Sequence, residues 1–418
     1  MIELVIIADD LTGAIDTGVQ LAKQGISTTI SIEPDVQVEQ LISTCDAQIM
    51  VFNTESRHID QIQAANRVKN VIKKSKKAGI TRFYKKTDST MRGNIGAELE
   101  AFLSETGQRT LPFIPAHPKL KRFTKNGYHY INQQLLHETE FGHDPLEPIK
   151  TSYIPELLHQ QAQIPIHIID IEKYQHRPED SGMLVFDCAS ENDLEKIGNL
   201  LFAHELNRAI SGSAAMAELL PAFLKLKPKV SDRMKLDPPS LIVNGSLNKI
   251  SYLQVIRANE HGVKTLCIPE ELFGESILDN NPHLIRIISE ISSEISTGKS
   301  VILNSTNLEN LESAHVIQAE NPATHHENIS EKIGIIVAVI LNKIHINTLM
   351  VIGGDTLLGV MRAIGGISIE PISEIIPGVA ISMVKGKNDT IQLITKPGGY
   401  GEKDVILHLL TNINKQDL

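Results

Sequence analysis

Charged side chains gather in the stretch Tyr84–Leu99 ("YKKTDSTMRGNIGAEL"), where a predicted strand gives way to a predicted helix. Successive side chains of a strand point to opposite faces, so only one of Lys85 and Lys86 can line a given pocket. A helix N-terminus offers free backbone N–H groups, and with Lys86 and Arg92 it would bind a carboxylate or a phosphate. Asp88 would then accept a hydrogen bond from a substrate hydroxyl. A charged, solvated helix face is the alternative interpretation.

A pair of carboxylates, Asp9 and Asp10, follows the predicted strand Glu3–Ala8. Two carboxylates at the end of a strand repel each other, and they need donors, a metal or a polyol beside them. Gly13 and Gly18, in the predicted helix that follows, suggest the close approach of a ligand or of another backbone. For Asp10 alone, an equally simple interpretation is that it caps the helix.

Two other basic features are less specific. Arg57 lies in the loop after the predicted strand "AQIMVF", where, taken alone, it is best interpreted as a surface arginine. The segment Lys119–Lys125 holds four basic residues. Because the net charge of the chain is −10, a general nucleic-acid binder is disfavoured, and we predict a mobile basic loop near an anionic substrate.

The second half of the chain contains three strand-to-helix turns that are rich in glycine, serine and threonine: "IVNGSLN", "VIGGDTLLG" and "LITKPGGYG". Glycines in such turns let backbone N–H groups approach a phosphate. Three of them in one domain favour a nucleotide site. The string "SEISTGKS" resembles part of a Walker A loop, but it precedes a strand instead of following one, and the sequence has no GxGxxG.

Strands alternate with helices along most of the 418 residues, which predicts an α/β protein with mostly parallel sheets flanked by helices. The segment Lys225–Ser240, with three prolines and dense charge, interrupts this alternation. We therefore predict two domains, residues 1–230 and 238–418. In the second domain the polar string "AENPATHHENISEKI" is predicted to be a surface loop, with a helix from about Ser330.

The cysteines and the short length of the apolar segments predict in which compartment the protein lies. The three cysteines stand apart from one another without a CxxC motif, which is typical of reduced thiols in the cytoplasm. The start "MIELVIIADD" does not resemble a signal peptide, and no window approaches eighteen apolar residues. We predict a cytoplasmic protein that binds neither membranes nor nucleic acid.

Eight strings, in their order along the chain, resemble the four-carbon acid sugar kinases, long known as a domain of unknown function. The strings are "ADDLTGAIDTG", "KKTDSTMRGNIGAEL", "PAHPKLKRFTKNGYHYIN", "DPLEP", "SGSAAMAELL", "NGSLN", "GGDT" and "TKPGGYG". The resemblance implies a sugar-acid-binding domain, a nucleotide-binding domain and an active site in the cleft between them. It also implies ATP-dependent phosphorylation of the terminal hydroxyl of a four-carbon acid. The string "DTGVQLAKQG" is most similar to the D-threonate and 4-hydroxythreonine branch; erythronate and 3-oxo-tetronates are the alternatives.

The resemblance also assigns site residues. Arg57 and Lys86 would hold the substrate carboxylate, and either Asp9 or Asp88 would accept the proton of the attacking hydroxyl. Asp9 is preferred because it ends a rigid first strand. Mg²⁺ is expected with ATP, although its ligands are unknown; Asp355 could bind it through water or cap a helix. The resemblance places the sugar acid on Asp9, Arg57, Lys85, Lys86, Thr87 and Asp88, and ATP on Ser246, Gly353, Gly354, Asp355, Thr356, Gly398 and Gly399. Arg92 joins the sugar-acid residues because of the anion site predicted at the strand-to-helix turn.

Two functions of other classes remain as rivals. A nicotinamide-dependent sugar-acid dehydrogenase would suit the α/β alternation, but the dinucleotide fingerprint is missing. A non-catalytic sugar-acid sensor would bind its ligand without releasing ADP, and it would not need a second, nucleotide-binding domain. The oligomeric state stays open, with a homodimer among the options.

Overall fold

The computed structural model describes residues 2–34, 36–144, 148–174, 181–229, 237–238, 240–273, 280–305, 322–386 and 390–412. The chain divides into two compact units, Met1–Val230 and Ser231–Leu418. The predicted boundary segment Lys225–Ser240 spans this division, and its residues 230–236 and 239 lie outside the described part. Each unit is described by itself below.

Eight parallel strands form the main sheet in the described part of the N-terminal unit. Their continuous apolar runs are typical of strands that helices cover on both faces. All five residues of the first strand, for example, are buried. The strands are β1 (Leu4–Ala8), β2 (Thr28–Ser31), β3 (Ile49–Asn53), β4 (Phe83–Lys86), β5 (Thr110–Ile114), β9 (Ile166–Ile169), β10 (Gly182–Phe186) and β11 (Ala209–Gly212), in the spatial order β2-β3-β1-β4-β11-β5-β10-β9.

Seven α-helices lie in the described residues of this unit. Local capping explains several of their ends: the Asp10 side chain accepts from Gly13 N at the start of the first helix, and Gly107 ends the fourth in the left-handed region with φ 71°. The helices are α1 (Leu11–Ala22), α2 (Val38–Thr44), α3 (Gln61–Lys77), α4 (Ile95–Thr106), α5 (Ile154–His159), α6 (Glu191–Ala203) and α7 (Ala214–Phe223).

A small antiparallel sheet occupies the segment for which a mobile basic loop is predicted. After a short 3₁₀ turn, Pro118–Leu120, the chain forms β6 (Arg122–Lys125), β7 (Tyr128–Ile131) and β8 (Gln134–Leu135). The backbone groups of His117 and Arg122 bond to each other across this turn. The prediction of a loop is therefore wrong for this segment: Arg122 and Lys125 lie in β6, and Lys119 and Lys121 lie in and directly after the 3₁₀ turn.

The described part of the C-terminal unit contains seven strands. They are β12 (Leu241–Asn244), β13 (Lys264–Cys267), β14 (Val301–Asn304), β15 (Thr348–Ile352), β16 (Ser368–Ile376), β17 (Val379–Lys385) and β18 (Thr390–Lys396), in the order β13-β14-β12-β15-β18-β17-β16. Pairing is parallel from β13 to β18 and antiparallel from β18 to β16. The predicted α/β class with mostly parallel sheets is confirmed.

The helices of this unit are α8 (Lys249–Glu260), α9 (Pro282–Ser296), α10 (Pro322–Lys343), α11 (Gly354–Ala363) and α12 (Val405–Asn412). Helix α10 begins eight residues before the predicted start near Ser330, so part of the predicted polar loop is helical. Each unit has its own apolar core: one cluster contains Val5, Met50 and Phe102, and the other contains Ile242, Met350 and Ile394. Among the described helices, none is long and apolar enough to cross a membrane.

Candidate active site

Three neighbouring strands of the N-terminal unit bring the predicted sugar-acid residues to one edge of the sheet. Strand β1 lies between β3 and β4 and runs parallel to both. The carboxyl ends of parallel strands meet at the same edge, where ligands of such sheets bind. Asp9 follows β1, Arg57 lies in the loop after β3, and Lys86 is the last residue of β4.

The Asp9 carboxylate is buried, and only one of its two oxygens accepts a hydrogen bond from a described residue. Its Oδ2 accepts from Arg57 Nε at 2.8 Å, whereas Oδ1 is buried and has no hydrogen-bond partner among the described residues. Burial acts to raise the pKa of Asp9, but the charges of Arg57, Lys85 and Lys86 outweigh it and hold the pKa below its usual value. The site thus contains an ionised carboxylate with one oxygen available to a ligand hydroxyl.

Asp10 has two structural contacts. Its Oδ1 accepts from Gly13 N at 2.8 Å, so the predicted helix cap is present, and its Oδ2 pairs with Arg57 Nη1 at 2.8 Å. Gly13 is needed where it stands, because a Cβ there would lie 2.6 Å from Asp10 Oδ1 and 2.9 Å from Lys86 Nζ. The first turn of α1 therefore packs directly against both charged groups.

Arg57 is a buried clamp and not a surface arginine. Its guanidinium joins Asp9 and Asp10, and only a tenth of the side chain is exposed. Burial disfavours the charged form, but the carboxylates of Asp10, Asp9 and Asp88 outweigh it and raise the pKa of Arg57 well above its ordinary value. Two anionic partners compensate this cation, so its main visible role is to hold Asp9 ionised and oriented.

The side chains of Lys85 and Lys86 point to opposite faces of the sheet, as expected for successive residues of a strand. Lys85 is fully buried; its Nζ lies 3.1 Å from Glu98 Oε2 of α4 and donates to the Lys86 carbonyl oxygen at 2.9 Å. Lys86 is 5% exposed, and the described residues offer its ammonium no hydrogen-bond or ion-pair partner. The position of Lys86 suits a ligand contact. That of Lys85 suits a support behind the site, in place of the substrate contact predicted for it.

Asp88 is committed to its own loop. Its Oδ1 accepts from Thr90 N at 3.2 Å, while its Oδ2 accepts from Thr90 Oγ1 and from Arg92 Nε, both at 2.6 Å. Arg92 also lies over the Phe141 ring, 5.5 Å from its centroid. These contacts stabilise the loop between β4 and α4, and they leave Asp88 less suited than Asp9 to accept a proton. Thr87 Oγ1, by contrast, is buried without a partner in the described chain.

Sequence reasoning missed Glu98 and Glu55. The carboxylate of Glu98 bonds Lys85 and Ser56, and burial together with the nearby Asp9 raises its pKa, against the effect of Lys85. Glu55 accepts from Leu11 N at 3.0 Å, and burial and the charge of Asp10 raise its pKa to about 7. Glu98 stands in the string "KKTDSTMRGNIGAEL", but nothing local marks it or Glu55 as part of the site, and only tertiary packing shows their partners.

The glycine-rich turns of the C-terminal unit also meet. Strand β15 lies between β12 and β18, so the turns that follow these strands share one sheet edge. An added Cβ at Gly245 would lie 2.1 Å from Thr356 Oγ1, and one at Gly398 would lie 2.0 Å from Ser246 Oγ. Gly353 holds φ +107°, and no side chain caps α11, which leaves N–H groups of its first turn for a ligand.

Lys396 organises the last of these turns. Its ammonium is 2% exposed and donates to three backbone carbonyls, those of Pro397 (2.8 Å), Gly398 (3.1 Å) and Tyr400 (3.0 Å). Burial lowers its pKa to about 8, so the side chain is still mainly protonated at pH 7. Sequence reasoning noted this lysine without assigning it a role. The structure makes it the internal brace of the turn that carries Gly398 and Gly399.

Two further atoms bear on nucleotide and metal binding. Asn244 Nδ2 donates to Asn304 Oδ1 at 2.7 Å, while Asn244 Oδ1 is buried and lacks a partner within the described ranges. Asp355 is exposed in the first turn of α11. No group of three or more metal-ligating side chains occurs in the part of the chain that the structure describes. A cation here would thus rely mainly on phosphate oxygens and water.

Family models match both units. Residues 4–220 match a model described as a sugar-binding N-terminal domain, and residues 241–406 match a nucleotide-binding C-terminal domain. The chain therefore belongs to the family with these two domains, and the membership of the four-carbon acid sugar kinase family predicted from the eight strings is confirmed.

Named relatives span the whole chain. It is 28% identical over 432 residues to a D-threonate kinase of Salmonella typhimurium, with 99% of each chain covered. It is 25% identical over 448 residues to a D-erythronate kinase of Heliobacterium modesticaldum, which covers 100% of this chain and 99% of the relative. A protein of known structure from Salmonella typhimurium shares the fold, with a TM-score of 0.79 at 20% identity and coverage of 99% and 100%.

Proposed function

We propose that this protein is a kinase that transfers the γ-phosphate of ATP to the terminal hydroxyl of a four-carbon sugar acid, D-threonate or 4-hydroxythreonine. The observation that carries the proposal is the buried, ionised Asp9, whose Oδ1 has no partner in the described chain and stands at the same sheet edge as the unpaired ammonium of Lys86. A base beside a cation suits a substrate with both a hydroxyl and a carboxylate. The D-threonate kinase relative supports the same assignment.

In this proposal Asp9 is the proton acceptor. Its Oδ1 accepts a hydrogen bond from the substrate hydroxyl and takes the proton as the oxygen bonds to the γ-phosphorus and ADP leaves. Arg57 holds Asp9 in place through Oδ2, and its charge keeps the carboxylate ionised. Positioning and charge neutralisation carry most of phosphoryl transfer, which fits a site with few reactive groups.

The C-terminal unit would bind ATP through Ser246, Gly353–Thr356 and Gly398–Gly399. Glycines at 245 and 398 keep the turns close together, and we call the space between these turns the cradle. The cradle and the free N–H groups in the uncapped first turn of α11 fit phosphate oxygens. Mg²⁺ would neutralise the phosphates, with Asp355 as the nearest assigned carboxylate, acting through water. These residues fit the nucleotide without a Walker A loop.

An ADP-release assay tests the proposal directly. Purified protein with Mg-ATP should release ADP with at least one acid from a panel of D-threonate, 4-hydroxythreonine, D-erythronate and 3-oxo-tetronates, and not with ATP alone. D-Erythronate and 3-oxo-tetronates are included because relatives carry those names. Acid binding without ADP release would favour the sensor. Reduction of a nicotinamide cofactor by the acid would favour the dehydrogenase, and either result would refute the kinase.

Replacing Gly398 with alanine is expected to raise the KM for ATP about tenfold, which corresponds to roughly 1.4 kcal/mol. The new Cβ would lie 2.0 Å from Ser246 Oγ, so the two turns would have to separate. Gly399→Ala is the comparison within the same proposed site. Its Cβ would lie 3.2 Å from the nearest atom, Asn248 Nδ2, so it lacks the clash with Ser246 and should raise the KM less. Initial rates against ATP at saturating acid give both values. Equal effects of the two variants would contradict the cradle, and the KM for the acid should stay unchanged.

A further inference from the structure

The cations around the Asp9 edge differ in whether a carboxylate compensates them. Arg57 pairs with Asp9 and Asp10, Lys85 with Glu98, and Arg92 with Asp88. A buried charge without a partner is costly, so cations that have carboxylate partners can be explained by structure alone. Among the described cations of this region, three lack such a partner: Arg67, which donates to the backbone carbonyls of Thr54 and Glu55, and Lys86 and Arg122, whose side chains donate to no backbone carbonyl of a described residue either.

Arg122, the first residue of β6, has no ion-pair partner in the described ranges. Its Nη1 donates to the neutral hydroxyl of Ser89, and its Nε is buried without any hydrogen-bond partner. Ser89 lies three residues after Lys86, in the loop that also contains Asp88 and Thr87. The hydrogen bond from Arg122 therefore ties the small antiparallel sheet to the loop at the candidate site.

The side chain of His117 is affected by the charges of both Arg122 and Lys86. The imidazole is desolvated, and the charges of Arg122 and Lys86 act on it in the same direction, so its pKa falls to about 4 and it is neutral at pH 7. Its Nδ1 is buried without a partner in the described chain, as is Thr87 Oγ1. Two cations without an ion-pair partner in the described chain thus act on an imidazole that has one unpaired nitrogen, and Thr87, next to Lys86 in the chain, has an unpaired hydroxyl.

We infer that Arg122, together with Lys86, binds the carboxylate of the sugar acid, in a subsite that includes Thr87 and His117. This inference rests on the proposed function. It gives Arg122 the role of binding the substrate carboxylate, which the sequence analysis had given to Arg57. Arg57 is already engaged by two carboxylates, whereas Arg122 Nε is buried without a hydrogen-bond partner in the described chain. A guanidinium is the side chain whose geometry best matches a carboxylate. The acid end would face Lys86 and Arg122, and a hydroxyl would face Asp9 Oδ1.

A comparison of an acid with its neutral analogue tests the assignment. The substrate is the tetronate that is most active in the panel, and the analogue is the matching tetritol, in which CH₂OH replaces the carboxylate. Arg122→Met should lower kcat/KM for the acid about 10- to 100-fold, as expected for the loss of a charge-assisted hydrogen bond. It should leave the slow rate with the tetritol nearly unchanged, so that discrimination between the two falls.

Lys119→Met is the matched control. Lys119 lies in the same segment, but its side chain is half exposed and pairs with Glu218 at 2.7 Å. Loss of this charge should leave discrimination within about twofold of the unmodified protein, as expected for an exposed pair. An equal change with Lys119→Met would show a general charge effect and would overturn the specific assignment.

An equal loss of kcat/KM with the acid and with the tetritol in Arg122→Met would also overturn the assignment. It would mean that Arg122 contacts the phosphoryl group or stabilises the fold. Unchanged discrimination would have the same meaning. Calorimetric titration of the acid without ATP adds a measurement that does not need turnover: Kd should rise in Arg122→Met and not in Lys119→Met. If no acid supports ADP release, the proposed function fails, while this titration still decides whether Arg122 binds the carboxylate.

Discussion

Asp9→Asn is expected to lower kcat by about 10²- to 10⁴-fold, the usual contribution of a general base, while ATP binding is retained. The substitution preserves size but removes the charge that Arg57 orients, and the amide cannot take the hydroxyl proton. Single-turnover ADP formation at saturating substrates isolates the chemical step. A calorimetric Kd for ATP shows whether the nucleotide site is intact.

Asp10→Asn is the control for this result. Asp10 is adjacent in sequence and also pairs with Arg57, but it serves as the cap of α1. Its replacement should lower kcat far less than Asp9→Asn does, since an asparagine caps helices nearly as well as an aspartate. Comparable losses in the two variants, or an Asp9→Asn rate within about fivefold of the unmodified protein, would exclude Asp9 as the base.

Lys85→Met should destabilise the N-terminal unit by about 3–5 kcal/mol, the usual effect of removing one partner of a buried ion pair. Lys85 is fully buried and 3.1 Å from Glu98 Oε2, so its loss leaves a buried carboxylate near Asp9 without its cation. Urea unfolding followed by tyrosine fluorescence measures the change, because the chain has no tryptophan. Five of its seven tyrosines lie in the N-terminal unit: Tyr84, Tyr128, Tyr130, Tyr153 and Tyr174.

Two further variants make this result specific. Lys76→Met removes an exposed lysine of α3 and should change stability by less than about 0.5 kcal/mol. Adding Glu98→Gln to Lys85→Met should restore part of the loss, because the unpaired charge is gone while an acceptor for Ser56 remains. A Lys85→Met protein as stable as the unmodified one would show that the pair contributes nothing.

Much of the fold could be predicted because local signals agreed with it. Continuous apolar runs marked the parallel strands, and the two-residue period of β4 required Lys85 and Lys86 to diverge, as they do. The start of α10 was misplaced because its polar first turns carry no apolar period. The small sheet β6–β8 was missed because strands this short leave little pattern in a sequence.

The site was harder to predict where a role depends on a distant partner. Sequence reasoning treated Arg57 as a substrate cation, but its neighbours Asp9 and Asp10 lie 48 and 47 positions away in the chain, and only the pairing of β1 with β3 brings them together. In the same way, nothing in a run of four basic residues distinguishes Arg122 from Lys119. The difference is that Glu218 compensates one charge and no described carboxylate compensates the other.

The glycine contacts of the C-terminal unit have a consequence for variation in this protein. In the proposed ATP site, the missing side chain of Gly245 and Gly398 is what the packing requires, because Thr356 and Ser246 occupy the space that a Cβ would need. The small size of a replacement is then no guide to whether the protein accepts it. An alanine at either position should impair ATP binding about as much as a larger residue. Arg122 and Lys86 should instead tolerate replacement according to charge and length. A survey of all single substitutions would therefore separate the residues proposed for ATP from those proposed for the sugar acid, because each set would accept a different pattern of replacements, without any ligand being bound.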